Sequence, residues 1–71
     1  MKKRSLQEWA DITGWHFAQD QDGAIFGYEC EPKQMKNQWK HTSGDFTRFS
    51  GKLVESYIGE WENSLTMPKG R

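Results

Sequence analysis

A single cysteine, Cys30, stands among the 71 residues, so no internal disulfide can staple the chain. A reducing cytoplasm is the compartment that suits such a composition. Aliphatic residues are equally scarce. Three Leu, three Ile and one Val cannot build a conventional aliphatic core. No apolar run is long enough to cross a bilayer, and Met-Lys-Lys-Arg-Ser leads into Leu-Gln-Glu-Trp-Ala-Asp rather than into an apolar signal centre. A soluble, non-exported protein with no membrane partner is the expectation. Excess charge of one sign is absent too: ten basic and ten acidic residues cancel. That balance disfavours a binder relying on counterion release from nucleic acid.

Aromatic residues are what the chain has. Four Trp, four Phe and two Tyr concentrate apolar area into few side chains, which suits a domain that buries only about 60% of its unfolded surface. One domain spanning 1–71 is expected, with loose ends at 1–4 and 66–71. The charges are segregated along the chain. Residues 6–31 carry only acidic charge, residues 33–52 mostly basic charge (Lys33, Lys36, Lys40, Arg48 and Lys52 against Asp45), and residues 53–67 acidic charge again. Such separation can mark a binding face, although solvated surface charge is its ordinary fate.

Ser5 followed by Glu8 has the spacing of a capping box, and Leu6, Trp9, Ala10 and Thr13 recur at helical intervals up to Gly14. A helix of about two turns is predicted there. Next come two aromatic segments separated by Asp22-Gly23 and stopped by Pro32, which predict a β-hairpin. With a loop of two or four residues, Trp15, Phe17, Phe26, Tyr28 and Cys30 would share one face, and His16, Ala18, Ile25, Gly27 and Glu29 the other. Residues 37–41 read as a short third strand and 42–45 as a turn. The last third is open, and periodicity alone slightly favours a helix there. Phe46, Phe49, Leu53, Tyr57, Ile58, Trp61 and Leu65 make a helical stripe, but Gly51 and Gly59 would each cost about 1 kcal/mol within a helix. The alternative is a strand from Phe46 to about Glu55, followed by an irregular segment that packs Trp61 and Leu65 back on the sheet.

Trp9-Ala10, Trp15, the Asp20-Gln-Asp22-Gly23 turn, Phe26 and Tyr28, Glu31-Pro32, Trp39, and the closing Trp61-Glu-Asn-Ser-Leu65-Thr-Met-Pro68 together resemble a pattern in small accessory proteins of tailed bacteriophages and prophages. The match runs from Trp9 to Pro68 and departs from the pattern in its longer stretch between Trp39 and Trp61. The resemblance implies the cytoplasm of an infected bacterium as the setting and a host defence or metabolic component as the target class. It also favours the strand reading after Phe46. The fold expected is α+β: a short N-terminal helix packed on an antiparallel sheet of three to four strands.

Chemistry finds little purchase in this sequence. Asp20, Asp22 and Glu31 occupy positions one, three and twelve of a calcium-loop window, but Ala24 and Ile25 stand where an oxygen ligand and a glycine are needed. His16, Cys30 and His41 lack zinc-ligand spacing, and strand parity sets His16 apart from Cys30. There is no phosphate loop or nucleophile elbow. A non-catalytic protein without metal or cofactor is expected. Its partner would be a host or phage protein, engaged by Trp39, Tyr57, Trp61, Lys36 and Lys40, with Trp9, Trp15, Phe17, Phe26 and Tyr28 in the core. The alternative is a nucleic-acid binder using Lys33, Lys36, Lys40, Arg48 and Lys52 for phosphates and Trp39, Phe46 or Phe49 for stacking. A homodimer would help a thin core by burying aromatics a monomer leaves uncovered.

Overall fold

The computed structural model describes residues 3–69. Residues 1, 2, 70 and 71, part of the ends expected to be loose, lie outside the described residues. Helix α1 spans Leu6–Thr13 and begins as its sequence demands. The Ser5 hydroxyl accepts from the Glu8 amide, and Glu8 Oε1 accepts from the Ser5 amide, both at 3.1 Å. Gly14 ends it with φ at 76°, its amide donating to Ala10 O at 2.8 Å. A side chain there would be strained, so the helix stops at the residue best able to stop it.

Strands β1 (His16–Gln19), β2 (Ile25–Tyr28) and β5 (Phe46–Phe49) form an antiparallel sheet in the order β1-β2-β5, while β3 (Lys33–Gln34) and β4 (Trp39–Lys40) pair in a separate ribbon. The fold is therefore α+β. The strand expected at 37–41 is shorter than that and joins β3, not the main sheet.

The hairpin corrects the expected faces. Asp20 and Ala24 close a three-residue loop, with Asp20 N–H donating to Ala24 O at 2.8 Å and Gly23 N–H to Asp20 O at 2.9 Å. Gly23 holds φ at 94°, and Asp22 Oδ1 accepts from the Ala24 amide at 3.0 Å. An odd loop shifts pairing by one residue relative to loops of two or four, and one residue inverts every side chain. Phe17 thus pairs with Gly27, Ala18 with Phe26 and His16 with Tyr28. Phe17 and Ile25 face α1, whereas Phe26 and Tyr28 face away from it.

Each face carries its own small core. On the helix side, Leu6, Ala10, Phe17, Ile25 and Val54 are buried, flanked by Trp9, Trp15, Phe49 and Tyr57. Phe17 and Phe49 meet edge to face at 4.7 Å across Gly27. On the opposite side, Ala18, Tyr28 and Trp39 are buried, with Phe26, Trp61 and Leu65 against them. Of the aromatics expected in the core, Phe17 and Tyr28 are fully covered and Trp9, Trp15 and Phe26 partly so.

The last third follows the strand reading, with β5 ending at Phe49 rather than near Glu55. A turn at 50–53 and an irregular segment lead to a single 3₁₀ turn, Trp61–Asn63, which returns Trp61 and Leu65 to the sheet. The ends expected to be loose are tied at two points. Arg4 bridges Val54, and Thr66 bridges Phe17. Between them Ser64, fully buried, acts as a staple. Its hydroxyl accepts from the Gln19 amide at 2.9 Å and lies 3.0 Å from Gln19 O and 2.7 Å from Trp61 O, its acceptors.

Two substitutions test this packing. A Cβ on Gly27 would stand 3.0 Å from both Phe17 Cζ and Phe49 Cε1, so Gly27→Ala is expected to lower unfolding free energy by about 1–3 kcal/mol in a urea titration. Ser64→Ala removes the acceptor of the part-buried Gln19 amide and is expected to cost about 1 kcal/mol or more. Wild-type midpoints for either variant would contradict the packing described.

Candidate functional site

The inverted hairpin places an aromatic groove on the face away from α1. Tyr28 and Phe46 are cross-strand partners, and Phe26 stands diagonally beside them, with ring centroids of all three pairs 6.1–6.2 Å apart. The chain leaving β4 lays His41 on Phe46, the rings stacked at 4.3 Å and 25°. A groove of about 210 Å³ opens between this cluster and the ribbon, with Asp20, Gln38, Trp39 and Lys40 completing its lining. Phe46 remains 46% exposed, a large apolar ring held in place by its neighbours yet open on one side.

Asp20 forms part of the lining and is only 8% exposed. Its Oδ1 accepts from the Trp39 amide at 2.9 Å, which fixes the ribbon to the hairpin loop. Burial pushes the Asp20 carboxyl above its usual value of 3.8; the Trp39 amide opposes that rise and Asp22 adds to it. Tyr28 donates its hydroxyl to Trp39 O at 3.3 Å. Its proton is held more tightly than usual, first through burial and then through the neighbouring Asp20 charge.

The residues expected to bind a partner divide. Trp39 is 7% exposed and packs at 6.3 Å, edge to face, with Trp61; its indole donates to Trp61 O at 3.4 Å. It shapes the groove from within instead of projecting as an anchor. Trp61 is half-buried under it, and Tyr57 is half-buried on the helix side, its amide bound to Gln19 Oε1 at 2.9 Å. Lys36 lies in the exposed ribbon turn closed by Met35 N–H on Gln38 O, and Lys40 reaches the groove.

The basic residues are scattered over three elements. Lys33 and Lys40 pair directly across the ribbon, Arg48 pairs with Phe26 on the groove side of the sheet, and Lys52 lies in the turn after β5. Of the proposed stacking rings, Phe46 is open, Trp39 is buried and Phe49 is packed in the helix-side core. The parity expected to separate His16 from Cys30 is also reversed. His16 lies on the Tyr28 side, but Cys30 falls beyond the end of β2, and among the described residues no three His, Cys, Asp or Glu gather to hold a metal ion.

Sequence reasoning missed Asp20 and His41 as site residues. Asp20 was legible as a turn former and as the first position of a failed calcium-loop window, and nothing local marks an acceptor for an amide nineteen positions away. His41 could have been found through Phe46, the only ring of β5 on the same face as Tyr28.

No described helix is long and apolar enough to cross a membrane. Because the Asp20 carboxyl is raised in the folded state, its favourable contribution is fully present below pH 3.8 and is lost as pH rises through the folded value. Asp20→Asn keeps an acceptor for Trp39 without the buried charge, so its thermal midpoint is expected to fall less between pH 3.5 and pH 7 than that of the wild type. Asp20→Ala is expected to lose about 1–3 kcal/mol by orphaning the Trp39 amide. Equal pH slopes for Asp20→Asn and wild type would contradict this environment. A scan against protein-family models and searches of curated proteins and solved structures find no match to this chain.

Proposed function

We propose that the protein is a non-catalytic binding module that engages a partner protein through the groove formed by Phe26, Tyr28, His41 and Phe46. The observation that carries this reading is Phe46, half exposed in a fixed aromatic cluster with polar groups of both signs around it. Protein interfaces draw most of their affinity from a few aromatic anchors set in pockets and rimmed by polar groups. Asp20, Gln38 and Lys40 supply such a rim. The cluster costs little to order on binding because its rings already support one another.

The resemblance of the sequence to the phage pattern supports a role in an infected bacterial cytoplasm, inhibiting or redirecting a host component. A second reading, single-stranded nucleic acid, is favoured by one arrangement: Lys40 and Arg48 stand on the same side of the sheet as Phe46. Zero net charge and the dispersal of Lys33, Lys36 and Lys52 argue for the protein partner.

The test is a pull-down of tagged protein from bacterial lysate, with and without nuclease, run beside Phe46→Ser. A stoichiometric protein that survives nuclease and falls about tenfold or more with Phe46→Ser, while circular dichroism shows the variant still folded, is expected. Retention of nucleic acid alone, or a partner indifferent to Phe46, would reject the groove reading.

A further inference from the structure

The two edges of the sheet are treated differently. The β1 edge is closed by the C-terminal segment, with Phe17 N–H on Thr66 O at 2.9 Å, Thr66 N–H on Phe17 O at 2.7 Å, and Ser64 on Gln19. The β5 edge is open. Glu29 N–H donates to Asp45 O at 2.9 Å, which sets the phase of the β2–β5 ladder. Thr47 and Phe49 therefore turn their backbone groups toward β2, and Phe46 and Arg48 turn theirs outward. No described residue pairs with those outward amides and carbonyls. Phe46, Thr47 and Arg48 are all exposed, and neither proline nor bulge interrupts the strand. Of the devices that discourage edge pairing, β5 has its short length and one charge, Arg48, but no proline, no bulge and no covering strand among the described residues.

We infer that the β5 edge is a homodimer interface, pairing antiparallel with β5 of a second copy about a two-fold axis at Thr47. Self-complementarity selects this occupant and this register. With Thr47 facing the partner's Thr47, Phe46 lies opposite the partner's Arg48, and the outward groups of both residues exchange hydrogen bonds in reciprocal pairs. Each Arg48 then meets an aromatic ring, and the threonines form a favourable cross-strand pair. A one-residue shift would set outward groups against inward ones. Centring on Arg48 would oppose two like charges. Centring on Phe46 would bring Arg48 opposite the partner's Gly44, where the chain leaves extended conformation with φ at 72°. Only the Thr47-centred register uses both outward residues of each strand.

The result is one continuous sheet with the two aromatic grooves on the same side, meeting across the axis. The interface is isologous and closed, as two-fold pairs require. The interface shares Phe46 with the groove but rests on the backbone edge of β5, not on what the groove binds.

In a Cys30→Ser background, Thr47→Cys tests both pairing and register. Facing residues in a non-hydrogen-bonded antiparallel pair have Cα atoms about 4.5 Å apart, within disulfide reach. Thr47→Cys is expected to cross-link between copies under mild oxidation, while Ser50→Cys is not. Light scattering over a concentration series should show a monomer–dimer equilibrium that Arg48→Glu weakens about tenfold or more, with circular dichroism unchanged. A chain monomeric at every concentration, cross-linking no faster at 47 than at 50, or a dimer indifferent to Arg48→Glu, would overturn the inference.

Discussion

The odd loop between β1 and β2 is the constraint on which the rest of this small structure depends. Asp20 and Ala24 close three residues, Gly23 supplies the positive φ that the closure needs, and pairing is set so that Phe17 faces Gly27. The aromatic rings of the sheet then sort by face. Phe17, Ile25 and Phe49 turn to the helix, and Tyr28, Phe26 and Phe46 turn to the ribbon. Asp20 serves twice, since the residue that closes the loop also accepts the Trp39 amide. The turn that divides the aromatics thereby fixes the layer that covers one set of them.

Neither layer would hold alone. A chain of 71 residues with so few aliphatics splits its apolar content over two faces of one sheet, and each face leaves its core thin. Polar ties compensate. Ser64 occupies the β1 edge where another strand residue would otherwise stand, and its hydroxyl satisfies part-buried backbone groups of Gln19 that β2 does not reach. The Trp-x-x-Ser-Leu ending thus has a mechanical meaning: a 3₁₀ turn aims Trp61 at Trp39, Ser64 staples the edge and Leu65 seals the face.

The parts of this fold written locally were legible in the sequence. Ser5, Glu8 and Gly14 specify the two ends of α1 through contacts a few residues long, whereas after Phe46 the helical periodicity pointed the wrong way and the glycines only weakened it. Hairpin register was not legible, because Asp-Gly fits loops of two, three or four residues and parity changes between them. Closure by Asp20 chose among these, helped by a partner on a distant ribbon. The groove was half visible. Lys40 was expected at a protein interface, but Phe46 only as a stacking ring for nucleic acid and Phe26 and Tyr28 in the core; Trp39 reads the same in sequence whether buried or open, and the Ser64 staple spans 45 positions.

The groove and the open β5 edge share Phe46, and both follow from the face that Tyr28 and Phe46 take. The most direct measurement is the pattern of cross-strand Hα–Hα nuclear Overhauser effects in β1 and β2. Non-hydrogen-bonded antiparallel pairs bring these protons closest. Strong effects between Phe17 and Gly27 and between Gln19 and Ile25 are expected. Effects linking Phe17 to Phe26 or Tyr28 would mean an even loop, return Tyr28 to the helix side, and dismantle the groove.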